Sequence, residues 1–169
     1  MGVSALSGGP ASGWSEFGEL YRTDAPRLAV FAMALGAAGD RAAALAHETM
    51  ITVWRRWADL PGAPRTYARL LVVRGMRRSR SEVVAPAALR FPEQTQHGAV
   101  LTGLVQLPDG QGHVLAASLD NLPPEDIALV LQIGVDDVQT AVDAGVVALR
   151  SQLDGREVQQ AYDDLVTIA

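Results

Sequence analysis

Arginine side chains gather in one segment of the sequence, "RTYARLLVVRGMRRSRSE", residues 65–82. Guanidinium groups along a helix can neutralise successive phosphates, and aromatic side chains beside them can stack on unpaired bases. A solvated basic face explains the same pattern equally well, because Tyr67 is the only nearby aromatic residue. Helical spacing predicts that Arg69, Arg77, Arg78 and Arg80 are exposed. The candidates for contact with single-stranded DNA are Arg69, Arg74, Arg77, Arg78 and Arg80.

A later segment, "VDDVQTAVDAGVVALR", residues 135–150, carries the opposite charge, with three aspartates ahead of its one arginine. Binding to duplex DNA draws most of its affinity from phosphate neutralisation by basic residues, which this segment lacks before Arg150. Acids in a first helical turn also stabilise the helix dipole, which accounts for Asp136 and Asp137 without any binding role. The alternative is a surface for a protein partner, with Asp136, Asp137, Gln139 and Asp143 as candidates.

These two segments belong to halves of opposite charge. Residues 1–90, the front half, hold 12 arginines against 7 acids, a net charge of +5, and residues 91–169, the rear half, hold 2 against 12, a net charge of −10. With 169 residues, 49% of them hydrophobic, the chain is long enough to bury a core.

Cysteine is absent and the three histidines are far apart in sequence, which excludes disulfides and cysteine metal sites. We expect no metal and no cofactor. The first residues do not resemble a signal peptide, and no apolar run is long enough to span a membrane. A cytoplasmic, soluble protein without a membrane partner is expected.

Helical periodicity runs through both halves, and no strand or hairpin pattern is present. We predict an all-α protein of two small helical domains joined by a linker, the second a four-helix domain that contains a helix-turn-helix. The predicted divisions are a flexible tail (1–13), a first helical domain (14–82), a proline-containing linker (83–96), the second domain (97–153) and a C-terminal helix or tail (154–169).

The order of these segments resembles the extracytoplasmic-function sigma factors of the sigma-70 family, bacterial subunits that direct RNA polymerase to promoters. The resemblance covers residues 14–153. Its most specific part is "ETMITVWRRW" in the family's promoter-melting domain, and "DIALVLQIGVDDVQTAVDAGVVALRSQL" is similar to the family's helix-turn-helix. It implies RNA polymerase core as a partner, promoter DNA as a possible partner of the front half, and a polymerase-binding surface at Leu45, His47 and Glu48.

Several positions depart from the family pattern. Ala43, Ala44 and His47 stand in a stretch that is usually acidic and ends in glutamine, and Arg74 replaces an asparagine. Gln132 replaces the glycine of the turn, although Gly134 is close enough to move the turn, and Gly112 replaces an arginine. The positions expected to be buried in the helix-turn-helix remain apolar: Ile127, Leu131, Val135, Val138, Val142 and Leu149.

Three functions follow as hypotheses. The first is a sigma-factor-like regulator that directs or modulates RNA polymerase, with weakened or absent DNA binding by its helix-turn-helix. The second is a sigma mimic that binds no DNA and instead contacts an anti-sigma factor or another regulatory protein. The third, a helical enzyme or ligand-binding domain that uses the gap between the two helical sets, rests on apolar content alone. Enzyme signatures are missing, so we expect neither an enzyme nor a small-molecule substrate.

Overall fold

The computed structural model describes residues 11–78, 96–108, 110–151, 153 and 157–168. Over these residues the chain forms eight α-helices and no strand, which confirms the predicted all-α class. The helices are α1 (Ala11–Ala34), α2 (Gly39–Arg55), α3 (Pro64–Arg78), α4 (Gln96–Gln106), α5 (Gln111–Leu119), α6 (Pro124–Leu131), α7 (Val135–Arg150) and α8 (Val158–Ile168). None of the helices in the described part is both long and apolar enough to cross a membrane.

The observed boundaries shift two of the predicted divisions. Helix α1 begins at Ala11, inside the predicted tail, and Gly13 lies against the indole of Trp57. The rest of the tail and residues 83–95 of the predicted linker lie outside the described residues. The last predicted linker residue, Gln96, is the first residue of α4.

The front half contributes α1, α2 and α3, which pack against one another. Apolar residues at three- and four-residue spacing bury Leu28 and Phe31 of α1, Met50 and Val53 of α2, and Val72 of α3. Helix α2 ends before the "PGAP" segment, and α3 starts on a proline, whose fixed φ suits the first helical position.

The rear half contributes α4 to α8, with α5 packed against α4, α6 and α7, and α8 packed against α4. Helix α6 starts on Pro124 and carries Glu125 and Asp126 in its first turn, where negative charge favours the helix dipole. Helix α8 buries Val158, Tyr162 and Leu165 and leaves Val166 half-buried, so one side of the helix packs against the core.

The two halves share one apolar core. Helix α3 packs against α6, and α1 packs against α4, α5 and α8. Helix α1 therefore belongs to the packing of both halves, and α3 lies between the front helices and α6.

Candidate interaction surfaces

The candidate arginines of α3 do not share one environment. Arg74, Arg77 and Arg78 are exposed, and Arg80 lies outside the described residues. Arg69, expected to be exposed, is instead buried, with 1% of its side-chain surface accessible. The prediction of exposure was wrong because α3 is covered on two sides, by the front helices and by α6. In this arrangement the Arg69 guanidinium is shielded from any phosphate.

Arg69 is the centre of a buried ionic cluster with Asp24 of α1 and Asp120, the residue that follows α5. Its Nε donates to Asp120 Oδ2 at 2.6 Å, and its Nη1 and Nη2 donate to the two carboxylate oxygens of Asp24. Both carboxylates are fully buried. Burial alone would lower the pKa of the Arg69 guanidinium, but the Asp120 and Asp24 carboxylates more than offset this effect and raise it. The cluster joins the two halves through a permanently charged group.

Further polar contacts between the halves also join a donor in the front half to an acceptor in the rear half. Arg27 donates to Asp120 at 3.5 Å and to Asp163 of α8 at 3.2 Å. The Thr66 hydroxyl donates to Asp126 of α6 at 2.6 Å. In each of these contacts, and in the pair of Arg69 with Asp120, the donor belongs to the front half and the acceptor to the rear half. The opposite net charges read from the sequence thus meet at this interface.

Arg77 makes a similar contact at the end of α3. Its Nη1 donates to Gln132 Oε1 at 2.5 Å and its Nη2 donates to the Leu131 carbonyl at 3.2 Å. Both acceptors are neutral: Leu131 is the last residue of α6, and Gln132 begins the turn that leads to α7. Arg77 therefore fixes the basic helix of the front half to the end of α6 in the rear half.

Tyr162 of α8 lies beside this interface with its side chain fully buried. No group in the described part of the chain forms a hydrogen bond with its hydroxyl. Burial, with the nearby Asp120 carboxylate, raises the pKa of the Tyr162 phenol well above its usual value. The folded protein therefore holds this phenol in its neutral form.

Replacing Tyr162 with phenylalanine should raise the free energy of unfolding at pH 7 by about 1 kcal/mol, because a buried hydroxyl without a partner is lost. A second effect appears in alkali. Above pH 10 the unfolded tyrosine ionises while the folded one does not, so stability falls by about 1.4 kcal/mol per pH unit for this one proton. Urea unfolding from pH 8 to 11 should show a shallower decline for Tyr162→Phe than for the wild type. Equal slopes for the two proteins would contradict the buried, neutral phenol.

The amino-acid composition makes this decline in stability with pH easier to assign to tyrosine. The chain has no lysine and no cysteine, so few other side chains change charge between pH 9 and 11. Tyr67→Phe provides a matched control on α3, since Tyr67 is also buried but keeps 8% of its surface accessible, against 0% for Tyr162. We expect that control to lack the gain in stability at pH 7.

The residues expected to bind polymerase are divided between two places on α2. Leu45 is buried and Glu48 is exposed, and both line a groove of about 420 Å³ between α2 and α3 that Arg78 also borders. His47 is exposed and lies elsewhere, with its Nδ1 3.0 Å from the Tyr21 hydroxyl. The groove brings Leu45 and Glu48 together but excludes His47.

An aromatic cluster joins α1 to the end of α2. Trp54 of α2 and Trp57, which follows that helix, are half-buried. They pack against Phe17 of α1, and Trp14 lies 4.0 Å from Trp54 between ring centroids. Trp14 itself remains exposed, so this aromatic cluster extends to the protein surface.

Helices α6 and α7 are joined by a short turn that begins at Gln132. Gln132 adopts φ 62° and ψ 48°, the left-handed region, whereas Gly134 has an ordinary φ of −69°. The suggestion that Gly134 moves the turn was therefore wrong. A non-glycine residue is uncommon in this region, and here Arg77 binds its side chain.

The apolar positions of α6 and α7 that were expected to be buried differ in their actual burial. Ile127, Val138 and Leu149 are buried, and Leu131 and Val142 are half-buried. Val135 was expected to be buried and is exposed, because it is the first residue of α7 and precedes the stretch that packs on α5.

The outward face of α7 is acidic and apolar. Asp136, Gln139, Asp143 and Val147 recur at three- and four-residue spacing and are all exposed, and Asp137 is exposed beside them. Gln139 Nε2 donates to Asp143 Oδ1 at 2.8 Å. Large apolar side chains are unusually open here: Val147 is 71% exposed and Leu129 of α6 is 60% exposed.

Gly112 has a structural explanation that the sequence did not reveal. A Cβ at this position would stand 1.9 Å from the carbonyl oxygen of Leu104, so α5 and α4 touch through their backbones. An arginine, which the resemblance led us to expect here, does not fit this approach. Gly112 therefore serves the packing of the rear half.

The described surfaces thus divide into a basic end of α3, partly engaged by the rear half, and an acidic and apolar face on α7. Asp136, Gln139 and Asp143 lie on that face, whereas Asp137 lines a cleft between α3 and α7. Three of the five candidate arginines are exposed. No protein-family model matches the chain, and no curated protein matches it.

Proposed function

We propose that the protein is a sigma-factor-like transcription regulator whose helix-turn-helix binds a protein partner in place of DNA. The observation that carries the proposal is the outward face of α7, where exposed acids accompany an exposed Val147. This proposal corresponds to the second hypothesis, a sigma mimic that contacts an anti-sigma factor or another regulator. RNA polymerase core is the alternative partner.

Electrostatics argues against DNA at this face. The electrostatic part of DNA affinity comes from cations that neutralise phosphates, and α7 presents Asp136, Asp137 and Asp143 before its first cation, Arg150. Arg150 lies in the last turn and is paired with Glu157 at 3.0 Å. A helix with this charge repels the DNA backbone along most of its length.

Exposed apolar side chains argue for a protein. Leu129 and Val147 lose contact with water only when another surface covers them, and burial of such side chains is a main source of affinity between proteins. The aspartates on the same face favour a partner that is basic around an apolar centre. We therefore expect binding that combines apolar burial with salt-sensitive attraction.

The front half supports the same conclusion. Arg69 is buried against Asp24 and Asp120, and Arg77 is bound to the turn of the helix-turn-helix. Among the exposed candidates, Arg74 and Arg78 remain outside these contacts with the rear half. A surface of so few cations offers a small footprint for promoter DNA.

A working sigma factor is the second candidate, and one observation favours it. Arg78 borders the same groove as Leu45 and Glu48, so a polymerase-binding surface and a cation for DNA would lie next to each other. Under this alternative, Arg74→Gln with Arg78→Gln abolishes polymerase-dependent promoter opening. Under our proposal the wild type itself supports no opening.

The test is a binding measurement with the full chain. Tagged protein is used to isolate its partner from the source cell, and the purified partner is then titrated against wild type and against Asp143→Arg with Val147→Ser. We expect affinity for the partner to fall at least about tenfold in this double variant, because an exposed apolar contact and an attractive charge are both removed. Glu19→Arg, an exposed charge reversal on α1, should leave affinity unchanged.

Two results would contradict the proposal. One is tight, salt-dependent binding of the wild type to duplex DNA in a low-salt anisotropy titration. The other is a partner whose affinity is the same for the wild type and the α7 double variant. Loss of affinity in Glu19→Arg as well would show that the partner binds the front half.

A further inference from the structure

A cleft of about 490 Å³ opens at the junction of the front and rear halves. Its apolar walls include Val73 and Met76 of α3, Ile133 of the turn and Ala141 of α7, and Arg77 and Asp137 also line it. Clefts of roughly 300 to 1,000 Å³ with apolar walls and a few polar groups are typical of small-molecule sites. The cleft is distinct from the outward face of α7 that carries the proposed function.

Arg77 gives this cleft a cation that the fold has not neutralised. Its two hydrogen bonds go to Gln132 Oε1 and to the Leu131 carbonyl, both uncharged. Within the described residues no carboxylate lies within ion-pair distance of Arg77. A guanidinium has more N–H donors than these bonds use, so it can bind a further acceptor. An anionic group is the acceptor that it binds most strongly.

Asp137, the acid of the cleft, has a local role that accounts for its charge. It lies in the first turn of α7, and its Oδ2 is 2.8 Å from the point where a Cβ of Gly134 would stand. The carboxylate is thus folded back over the start of the helix, where unpaired backbone N–H groups favour a negative charge. The positive charge of Arg77 is therefore available to pair with an anionic ligand.

We propose that this cleft binds a small amphipathic acid, with its apolar body against Val73, Met76, Ile133 and Ala141 and its anionic head on Arg77. The inference goes beyond the proposed function and does not depend on it. Because the walls come from both halves, the ligand also favours the arrangement in which the halves are in contact.

The probe for this site is 1-anilinonaphthalene-8-sulfonate, which combines an apolar aromatic body with one anionic group. Titrated into the full chain, it should show one saturable site per molecule with enhanced, blue-shifted emission. Arg77→Gln removes the cation, and Ala141→Leu fills part of the apolar wall. We expect each change to weaken binding about fivefold or more.

Matched controls lie next to both positions. Arg78→Gln removes the neighbouring exposed charge of α3, and Ala144→Leu adds the same volume at an exposed position of α7. Neither residue lines the cleft, so the affinity for the dye should stay within about twofold of wild type. Ala141→Val replaces Ala141→Leu if the larger side chain prevents folding, and circular dichroism verifies that each variant is folded.

Three outcomes overturn the proposal. One is dye binding without saturation. Another is equal affinity for the wild type, Arg77→Gln and the Ala141 variant. The third is binding that is weakened by Val147→Ser but unaffected by the cleft variants, since the dye then occupies the exposed face of α7.

Discussion

Replacing Arg69 with methionine should lower the free energy of unfolding by about 3 to 5 kcal/mol, the range found when one member of a buried ionic group is removed. Methionine keeps an unbranched apolar stem of similar length, so packing changes little. The loss arises because the Asp24 and Asp120 carboxylates stay buried while the group that binds both of them is gone. Urea unfolding followed by circular dichroism measures the change.

Arg65→Met is the control for this prediction. Arg65 also pairs with Asp24, with Nε 3.4 Å from Oδ1, but its side chain is 57% exposed. Water screens such a pair, so its removal should cost less than about 1 kcal/mol. Similar losses for the two variants would show that Arg69 contributes no more than an ordinary surface arginine. Adding Asp120→Asn to Arg69→Met should recover part of the lost stability, because one of the uncompensated charges is removed.

Gly112→Ala should destabilise the protein by about 3 kcal/mol or more, at the upper end of what overpacking of a core produces. The added Cβ would stand 1.9 Å from the Leu104 carbonyl oxygen, and neither atom belongs to a flexible side chain that can move aside. Helices α4 and α5 must separate, and the packing of the rear half is disturbed. Thermal unfolding of the full chain reports the loss.

Gly18→Ala is the matched control and should change stability in the opposite direction. Gly18 lies within α1, and no heavy atom stands within 4 Å of its Cβ position. Alanine there should stabilise the helix by roughly 0.5 to 1 kcal/mol, because glycine loses more backbone freedom on folding. A Gly112→Ala variant as stable as the wild type would contradict the close approach of α4 and α5.

The helices could be predicted from the sequence because helical periodicity is a local signal. Helix α2 buries Leu45, Met50 and Val53 at helical spacing, and helix α8 buries Val158, Tyr162 and Leu165 in the same way. The start of α6 on Pro124 could also be predicted from the local sequence, because the proline ring fixes the φ of that residue. None of these features depends on residues far away in the chain.

The environment of Arg69 could not be predicted, because its partners lie 45 and 51 residues away. On α3 the structure buries Tyr67, Ala68, Arg69, Val72 and Val73, whereas Leu70, Leu71 and Met76 are half-buried. Periodicity alone does not reveal that α3 is covered from two directions.

The candidate site was predicted in part. Asp136, Gln139 and Asp143 share the outward face of α7, but Asp137, the fourth candidate, lines the cleft between the halves, and the protein-binding surface itself stays a prediction. The exposure of Leu129 had no comparable signal, since an apolar residue on α6 is ordinarily interpreted as core. The left-handed Gln132 was also hidden, because its side chain is held by Arg77, 55 residues earlier in the chain.

The ionic contact between the halves has a consequence for the order of events on the ribosome. Synthesis proceeds from the N-terminus, so Arg69 emerges 51 residues before Asp120, and Arg27 emerges 136 residues before Asp163. Until the rear half has been synthesised, Arg27 and Arg69 lack the rear-half carboxylates to which they donate in the folded protein. The nascent front half then carries an excess of positive charge. The front helices can form early, but their final packing has to wait for the rear half, so folding is completed late in translation.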